Sequence, residues 1–140
     1  MFRWFTRFNP SWPKLTGERY LHRLISDEGP TQVFENLGWT PSGWFWSRHT
    51  MTLHPPESWH DESTGNHADI SFDYRLASLG PTRTRLEQLW RVQWKELTTL
   101  QQRRAYTMAS IRRTGRKEWD LRARACERAW RARETHGRTG

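Results

Sequence analysis

The stretch from residue 54 to residue 69 places histidines among acidic side chains. The histidines are His54, His60 and His67, and the acids are Asp61, Glu62 and Asp69. Imidazole and carboxylate groups together are the ligands of zinc and related metals. Their spacing matches no structural zinc motif, and the sequence supplies no second ligand pair elsewhere. We therefore predict a solvated polar loop here, without a metal site.

Basic side chains form a second group that could do chemistry. Residues 1–80 carry 7 basic and 9 acidic side chains, whereas residues 81–140 carry 16 basic and 6 acidic ones. The whole chain has a net charge of +8, and 20 of its 23 basic residues are arginine. This charge predicts an anionic partner, such as a nucleic acid, an anionic lipid surface or an acidic protein surface.

Part of the arginine charge has acidic partners close by in the sequence. Glu118, Asp120 and Glu127 each precede an arginine by four residues, which is the favourable orientation for ion pairs on a helix. The segment IRRTGRK contains no acid and is the favoured place for anion contacts. The candidate phosphate contacts are Arg103, Arg104, Arg112, Arg113, Arg116 and Lys117.

Motifs of known enzyme classes are missing from the sequence. It has no glycine-rich phosphate loop and no Gly-x-Ser-x-Gly nucleophile turn. The single cysteine, Cys126, lies between Trp119 and Trp130 at helical spacing, which favours a buried apolar role over a reactive thiolate. We predict no enzymatic activity, no catalytic residue and no cofactor.

The N-terminal half is predicted to contain short elements of both kinds. Residues 16–25 and 31–38 have helix-like apolar spacing and end at glycine or proline signals. Residues 44–54 and 68–76 favour strands, the second through strict alternation of apolar and polar side chains. We pair these two strands as an antiparallel hairpin joined by the loop PPESWHDESTGNH.

The C-terminal half is predicted to be a long basic helix. From residue 84, apolar side chains recur at steps of three and four, and the stripe shifts after Gly115. The helix would therefore kink or break near Gly115, or its apolar seam would wind around one long rod. The candidate apolar anchors for a partner are Leu86, Leu89, Trp90, Leu97, Met108, Trp119 and Trp130.

The first residues, MFRWFTRF, combine aromatic side chains with arginines and contain no acid. This composition resembles a mitochondrial targeting segment or an interfacial membrane anchor, although Pro10 and Pro13 limit any helix to about two turns. A packing arm is an equal alternative. The candidate contact residues are Phe2, Arg3, Trp4, Phe5, Arg7 and Phe8. With no secretory or membrane-spanning apolar run, we expect an intracellular protein.

Taken together, these patterns predict an α+β protein that is mostly α. Its expected parts are an arm (1–15), a docking module (16–80), the basic helix (81–135) and a flexible tail (136–140). Ten tryptophans and few aliphatic residues favour a surface that a partner covers. The predicted function is a non-catalytic accessory subunit of a larger complex that contacts other protein subunits. A nucleic-acid-binding protein, including a ribosomal one, and a peripheral membrane component remain open alternatives.

Overall fold

The fold is a six-stranded antiparallel sheet covered on one face by helices. The computed structural model describes residues 1–40, 43–95, 100, 103 and 107–137. Two short helices come first, then six strands that pair in chain order, then a long helix. The elements are α1 (Phe2–Thr6), α2 (Trp12–Thr16), β1 (Tyr20–Glu28), β2 (Thr31–Thr40), β3 (Gly43–His54), β4 (Ser58–Gly65), β5 (Ala68–Ser78), β6 (Thr84–Trp94) and α3 (Met108–Gly137).

The prediction of a mostly α protein was wrong, because about half of the residues that the structure describes lie in strands. The two N-terminal stretches read as helices, 16–25 and 31–38, contribute most of their residues to β1 and β2. A two-residue turn, Gly29-Pro30, joins these strands, and Gly29 has a φ of 60°, which favours glycine at a hairpin turn. Gly29-Pro30 was therefore correctly predicted as a stop, although it marks a hairpin turn, whereas the predicted stop at Gly38 was wrong because β2 continues to Thr40.

The predicted hairpin between residues 44–54 and 68–76 was also wrong in its pairing. Both segments are strands, but β4 lies between them and pairs with each. The stretch predicted as a polar loop is therefore largely a central strand of the sheet. Its inward row holds Trp59, Asp61, Ser63 and Gly65, so apolar alternation is absent although the strand is half-buried.

The long helix begins later than predicted, because residues 84–94 form the last strand, β6. Leu86 and Trp90 are four residues apart, and this spacing places two side chains on one face of a strand as well as of a helix. The helical pattern was therefore ambiguous there. From Met108 onward α3 is one continuous helix that passes through Gly115 without a break.

The core lies between the inner face of the sheet and the helices α1 and α3. Its buried side chains are Phe5, Met51, Trp59, Tyr74 and Leu76. The ring of Trp119, from α3, lies 5.6 Å from that of Phe5 and 5.2 Å from that of Tyr74, measured between centroids. Aromatic contacts of this kind fix the long helix across the sheet.

The outer face of the sheet carries charged side chains, many of which are exposed, although Glu35 is buried beneath its two arginine partners. Glu35 pairs with both Arg23 and Arg48, while Asp73 pairs with His60 and Arg91. These cross-strand pairs lie opposite the core-facing side chains. Within the described residues, no helix is long and apolar enough to cross a membrane.

Candidate functional site

A cavity of about 440 Å³ lies between the inner face of the sheet and α3. Aromatic side chains form much of its wall, among them Phe8, Phe34, Phe45, Phe72, Trp90 and Trp119. The volume falls within the range of cavities that hold small organic molecules. Because the sheet contributes residues from every strand, the wall is built on rigid elements.

Polar side chains form one patch on this aromatic wall, and we call them the polar cluster. The polar cluster consists of His22 from β1, Asn36 from β2, Ser47 and His49 from β3, and Asp61 and Ser63 from β4. Strand register brings them together, because Asn36 is opposite Ser47 and His49 is opposite Ser63. Asp61, two residues before Ser63, is therefore the diagonal neighbour of His49.

Hydrogen bonds connect the polar cluster from one side of the sheet to the other. His22 Nδ1 lies 2.6 Å from Asn36 Oδ1, and the amide nitrogen of Asn36 lies 3.2 Å from His49 Nε2. His49 Nδ1 in turn lies 2.9 Å from Asp61 Oδ2. Ser47 Oγ completes the cluster at 3.0 Å from His49 Nε2.

These contacts determine which ring nitrogen of each histidine carries the proton. A carboxylate oxygen accepts, so Nδ1 of His49 donates to Asp61 and Nε2 holds the lone pair. That lone pair accepts from the Ser47 hydroxyl and from the Asn36 amide. Since Asn36 Oδ1 accepts as well, Nδ1 of His22 carries a proton. Every contact in the chain therefore joins a donor to an acceptor.

Two inward-facing acceptors have no hydrogen-bond partner. They are Oδ1 of Asp61 and Oε1 of Gln32, whose residues are only 6% and 5% exposed. A buried polar atom without a partner costs about 1–3 kcal/mol. Both residues line the cavity. A donor that reached either oxygen, on a bound molecule or on a water, would relieve this cost.

Burial changes the protonation of several groups around the cavity. It lowers the pKa of His22, against the opposing effect of the hydrogen bond from that ring to Asn36. Burial, and then repulsion from Glu118, raises the pKa of Glu18. Burial also raises the pKa of Tyr20 far above its ordinary value, with Glu18 as the next cause. Desolvation thus favours neutral forms at these three residues.

Arg122 is the principal cation at the cavity wall. Its guanidinium lies 4.7 Å from the centre of the Trp12 ring and 4.9 Å from that of Trp119. It also pairs with Glu118, one turn earlier in α3, as the acid-first spacing predicted. Its Nε is buried and has no hydrogen-bond partner. Arg122 therefore joins α2 to α3.

Some of the predicted apolar anchors pack inside the protein's own fold, and others are exposed on its surface. Leu86, Trp90 and Trp119 are partly buried within the protein's own fold, while Leu89 and Trp130 are exposed by 53% and 62%. Leu97 and the side chain of Met108 lie outside the described residues. Leu89 and Trp130 are therefore the two described anchors that lie largely on the surface.

The predicted phosphate contacts lie mainly along the exposed side of α3. Arg112, Arg113, Arg116 and Lys117 are all exposed. Arg103 is exposed too, whereas Arg104 lies outside the described residues. The residues of α3 predicted to contact anions therefore form a local surface on the side away from the cavity.

The predicted N-terminal arm is folded against the sheet. Phe5 is buried in the core, Phe2 packs edge-on against Trp59, and Trp4 packs against Trp12. Phe8 stacks on His22 at 4.5 Å and lines the cavity. Of the six arm residues, Arg3 and Arg7 are exposed.

The polar cluster was missed at the level of sequence. Strand alternation in β4 sends Asp61 and Ser63 inward and His60 and Glu62 outward, so the predicted loop is divided between two faces. Among the residues that the structure describes, no group of three or more His, Cys, Asp or Glu side chains could hold a metal ion. The available signal was Ser47-x-His49, which a strand places on one face.

Comparisons with known proteins add no functional assignment. Scans of the chain against protein-family models, curated proteins and solved structures returned no match. Functional inference for this chain therefore depends on the geometry of the cavity and its residues.

Proposed function

We propose that the protein binds a small amphipathic molecule in the cavity between its sheet and α3. The supporting observation is the combination of aromatic walls with two buried acceptors, on Asp61 and Gln32, that lack partners. Apolar walls with a few placed polar groups are typical of small-molecule sites.

The chemistry of the ligand follows from the aromatic and the polar parts of the cavity wall. An apolar body, aromatic or aliphatic, packs against Phe34, Phe72 and Trp90. A hydroxyl or amine donates to Asp61 or Gln32. Both residues pair across the sheet with Met51, so their backbones are about two strand spacings, or about 10 Å, apart. One small molecule can therefore span both acceptors.

A fluorescence titration tests this proposal. N-phenyl-1-naphthylamine is apolar, carries one N–H donor and brightens when it leaves water. We expect saturable binding to the full chain. Ser63→Leu adds an apolar side chain on the inner face of β4 and is expected to weaken binding at least tenfold, because it fills part of the cavity.

Thr50→Leu is the matched control, since Thr50 is exposed on the opposite face of the adjacent strand β3. It adds an apolar side chain without touching the cavity and should bind the dye like the unmodified chain. Equal affinity in the unmodified chain and in Ser63→Leu would show that the dye binds elsewhere, and the proposal would fail.

An accessory role in a larger complex is the second candidate function. Trp39 and Trp44 are 72% and 42% exposed and contact each other at the end of the β2–β3 pair, with ring centroids 5.5 Å apart. Exposed aromatic pairs favour a protein interface. If this role holds, the purified chain aggregates, and Trp39→Ala with Trp44→Ala reduces the aggregation. A monodisperse monomer with sharp two-state melting would contradict it.

A further inference from the structure

We infer that Ser47 is a nucleophile toward carboxylic esters, with His49 as its general base. The inference rests on the proposed binding of small molecules in the cavity and adds a reaction to it. Ser47, His49 and Asp61 all line the cavity, so a bound molecule reaches them directly.

The three side chains are connected like a catalytic triad, with the carboxylate bonded to the imidazole and the imidazole bonded to the serine hydroxyl. Asp61 Oδ2 lies 2.9 Å from His49 Nδ1, and His49 Nε2 lies 3.0 Å from Ser47 Oγ. Both distances are those of formed hydrogen bonds. Asp61 holds the imidazole in the tautomer whose lone pair faces the serine hydroxyl. This arrangement recurs on unrelated folds and is identified by its geometry.

Asn36 supplies a donor next to the nucleophile. Its amide nitrogen lies 3.4 Å from Ser47 Oγ. When Oγ bonds to a carbonyl carbon, the carbonyl oxygen becomes an anion one bond further on, within reach of that amide. A side-chain amide in this position stabilises the charge that develops during acyl transfer.

The walls define the substrate class. The polar cluster is bordered by the rings of Phe8, which stacks on His22, and Phe34, which stacks on His49. Such a wall favours an ester with an apolar acyl or aryl group. With a single amide donor assigned to the oxyanion, we expect esters with good leaving groups, such as aryl esters, rather than amides.

The reaction balances with water as the second substrate. Ser47 Oγ bonds to the carbonyl carbon while its proton passes to His49 Nε2. The bond from that carbon to the alcohol oxygen then breaks, and His49 returns the proton to the departing alcohol. Water attacks the acyl-serine, gives its proton to His49, and Ser47 Oγ leaves and regains it. The products are one carboxylic acid and one alcohol.

An alkyl fluorophosphonate tests the inference on the full chain. Serine attack displaces fluoride and leaves a stable phosphonyl adduct, which intact-mass measurement counts and peptide mapping locates. We expect one adduct, on Ser47. Ser47→Ala should abolish it, and His49→Gln should slow its formation at least 100-fold, because the general base is lost. Ser71→Ala, on the outer face of β5, should be labelled like the unmodified chain.

Each outcome separates this inference from the proposed binding function. Naphthylamine binding measured on the same samples reports whether the variants keep a folded cavity. Dye binding without any adduct, or an adduct on another residue, overturns the nucleophile and leaves the binding proposal intact. If the unmodified chain does not bind the dye, the binding proposal itself is overturned.

Discussion

Gly115 of α3 lies directly against the indole ring of Trp90 in β6. A Cβ atom at position 115 would lie 2.5 Å from Cη2 and 2.8 Å from Cζ2 of that ring. Real side-chain contacts are not that short, so the absence of a side chain lets the helix approach the sheet. Of the two predicted alternatives at Gly115, the break was wrong, and this glycine is a packing contact within a continuous helix.

Gly115→Ala is expected to destabilise the protein despite improving helix propensity. Alanine in a helix interior favours folding by about 1 kcal/mol over glycine. Overpacking against Trp90 costs about 1–3 kcal/mol, since Phe72 also packs edge-on against this ring and limits its movement. We therefore expect the free energy of unfolding in urea to fall by about 1 kcal/mol.

The variant Trp90→Leu provides the control for this packing argument. In that background, Gly115→Ala should become stabilising, by up to about 1 kcal/mol, because the clash is gone and the propensity gain remains. An unchanged effect of Gly115→Ala in the two backgrounds would contradict the contact.

Arg122→Ala is expected to destabilise the protein by about 1–3 kcal/mol. The change removes the cation from the Trp12 and Trp119 rings and leaves Glu118 without its partner. Arg124 is exposed two residues later on the same helix, so Arg124→Ala should change stability by less than about 0.5 kcal/mol. Chemical denaturation of both variants checks the difference, and equal losses would contradict the assigned role.

Glu35 should make the stability of the protein depend on pH in the acid range. Hydrogen bonds from Arg23 and then Arg48 hold the pKa of this carboxyl below its ordinary value of 4.5. The folded state therefore binds the proton less readily than the unfolded state, so the stabilisation is complete above pH 4.5 and is lost as the pH falls through the folded-state pKa.

Thermal melting of Glu35→Gln against the unmodified chain measures this effect. At pH 7 the variant should melt at a lower temperature. The gap should narrow steadily as the pH falls below 4.5, where the native carboxyl takes up its proton. A gap that stays constant down to the most acidic conditions would mean that the charge of Glu35 has no part in stability.

Nucleic-acid binding stays a prediction, and the exposed cations of α3 allow a specific test. If the chain binds RNA or DNA, affinity should fall steeply with salt. Changing Arg112, Arg113, Arg116 and Lys117 to glutamate should make the nucleic-acid affinity depend less steeply on salt concentration. Naphthylamine binding should stay unchanged, because these side chains face away from the cavity. Salt-insensitive or absent binding would exclude this alternative.

The success of the strand predictions depended on what each strand turns inward. β5 turns Ala68, Tyr74 and Leu76 toward the core, and its alternation was readable. By contrast, β2 turns Gln32 and Asn36 inward, and both are buried. Phe34 is the apolar side chain between them, while Val33 and Leu37 point to the opposite face, so β2 has no apolar alternation and its period could not be detected from hydrophobicity.

Exposed apolar side chains of β1 added to this wrong prediction. Leu21, Leu24 and Ile25 have helix-like spacing and are 58%, 38% and 47% exposed, and a β-bulge between Leu24 and Ser26 interrupts the alternation of the strand. The inward side chains of this strand include Tyr20 and His22, and His22 belongs to the polar cluster. Sequence-level reasoning therefore failed at β1, β2 and β4, whose inward rows are largely polar.

The polar cluster itself could be predicted only in part. Ser47 and His49 fall in a correctly predicted strand, and their spacing of two residues places them on one face. Asp61 and Asn36 join them only through the register of three neighbouring strands. That register depends on pairings across the whole sheet, which residue spacing alone does not determine.

The most direct test of the proposed binding function compares two ligands that differ by one donor. 1-Naphthol and 1-methoxynaphthalene have the same aromatic body, but only the first can donate a hydrogen bond to Asp61 or Gln32. A hydrogen bond to a charged acceptor is worth about 1.5–3 kcal/mol, so 1-naphthol should displace bound naphthylamine at a concentration at least tenfold lower. Equal displacement by both compounds, or none by either, would contradict the account.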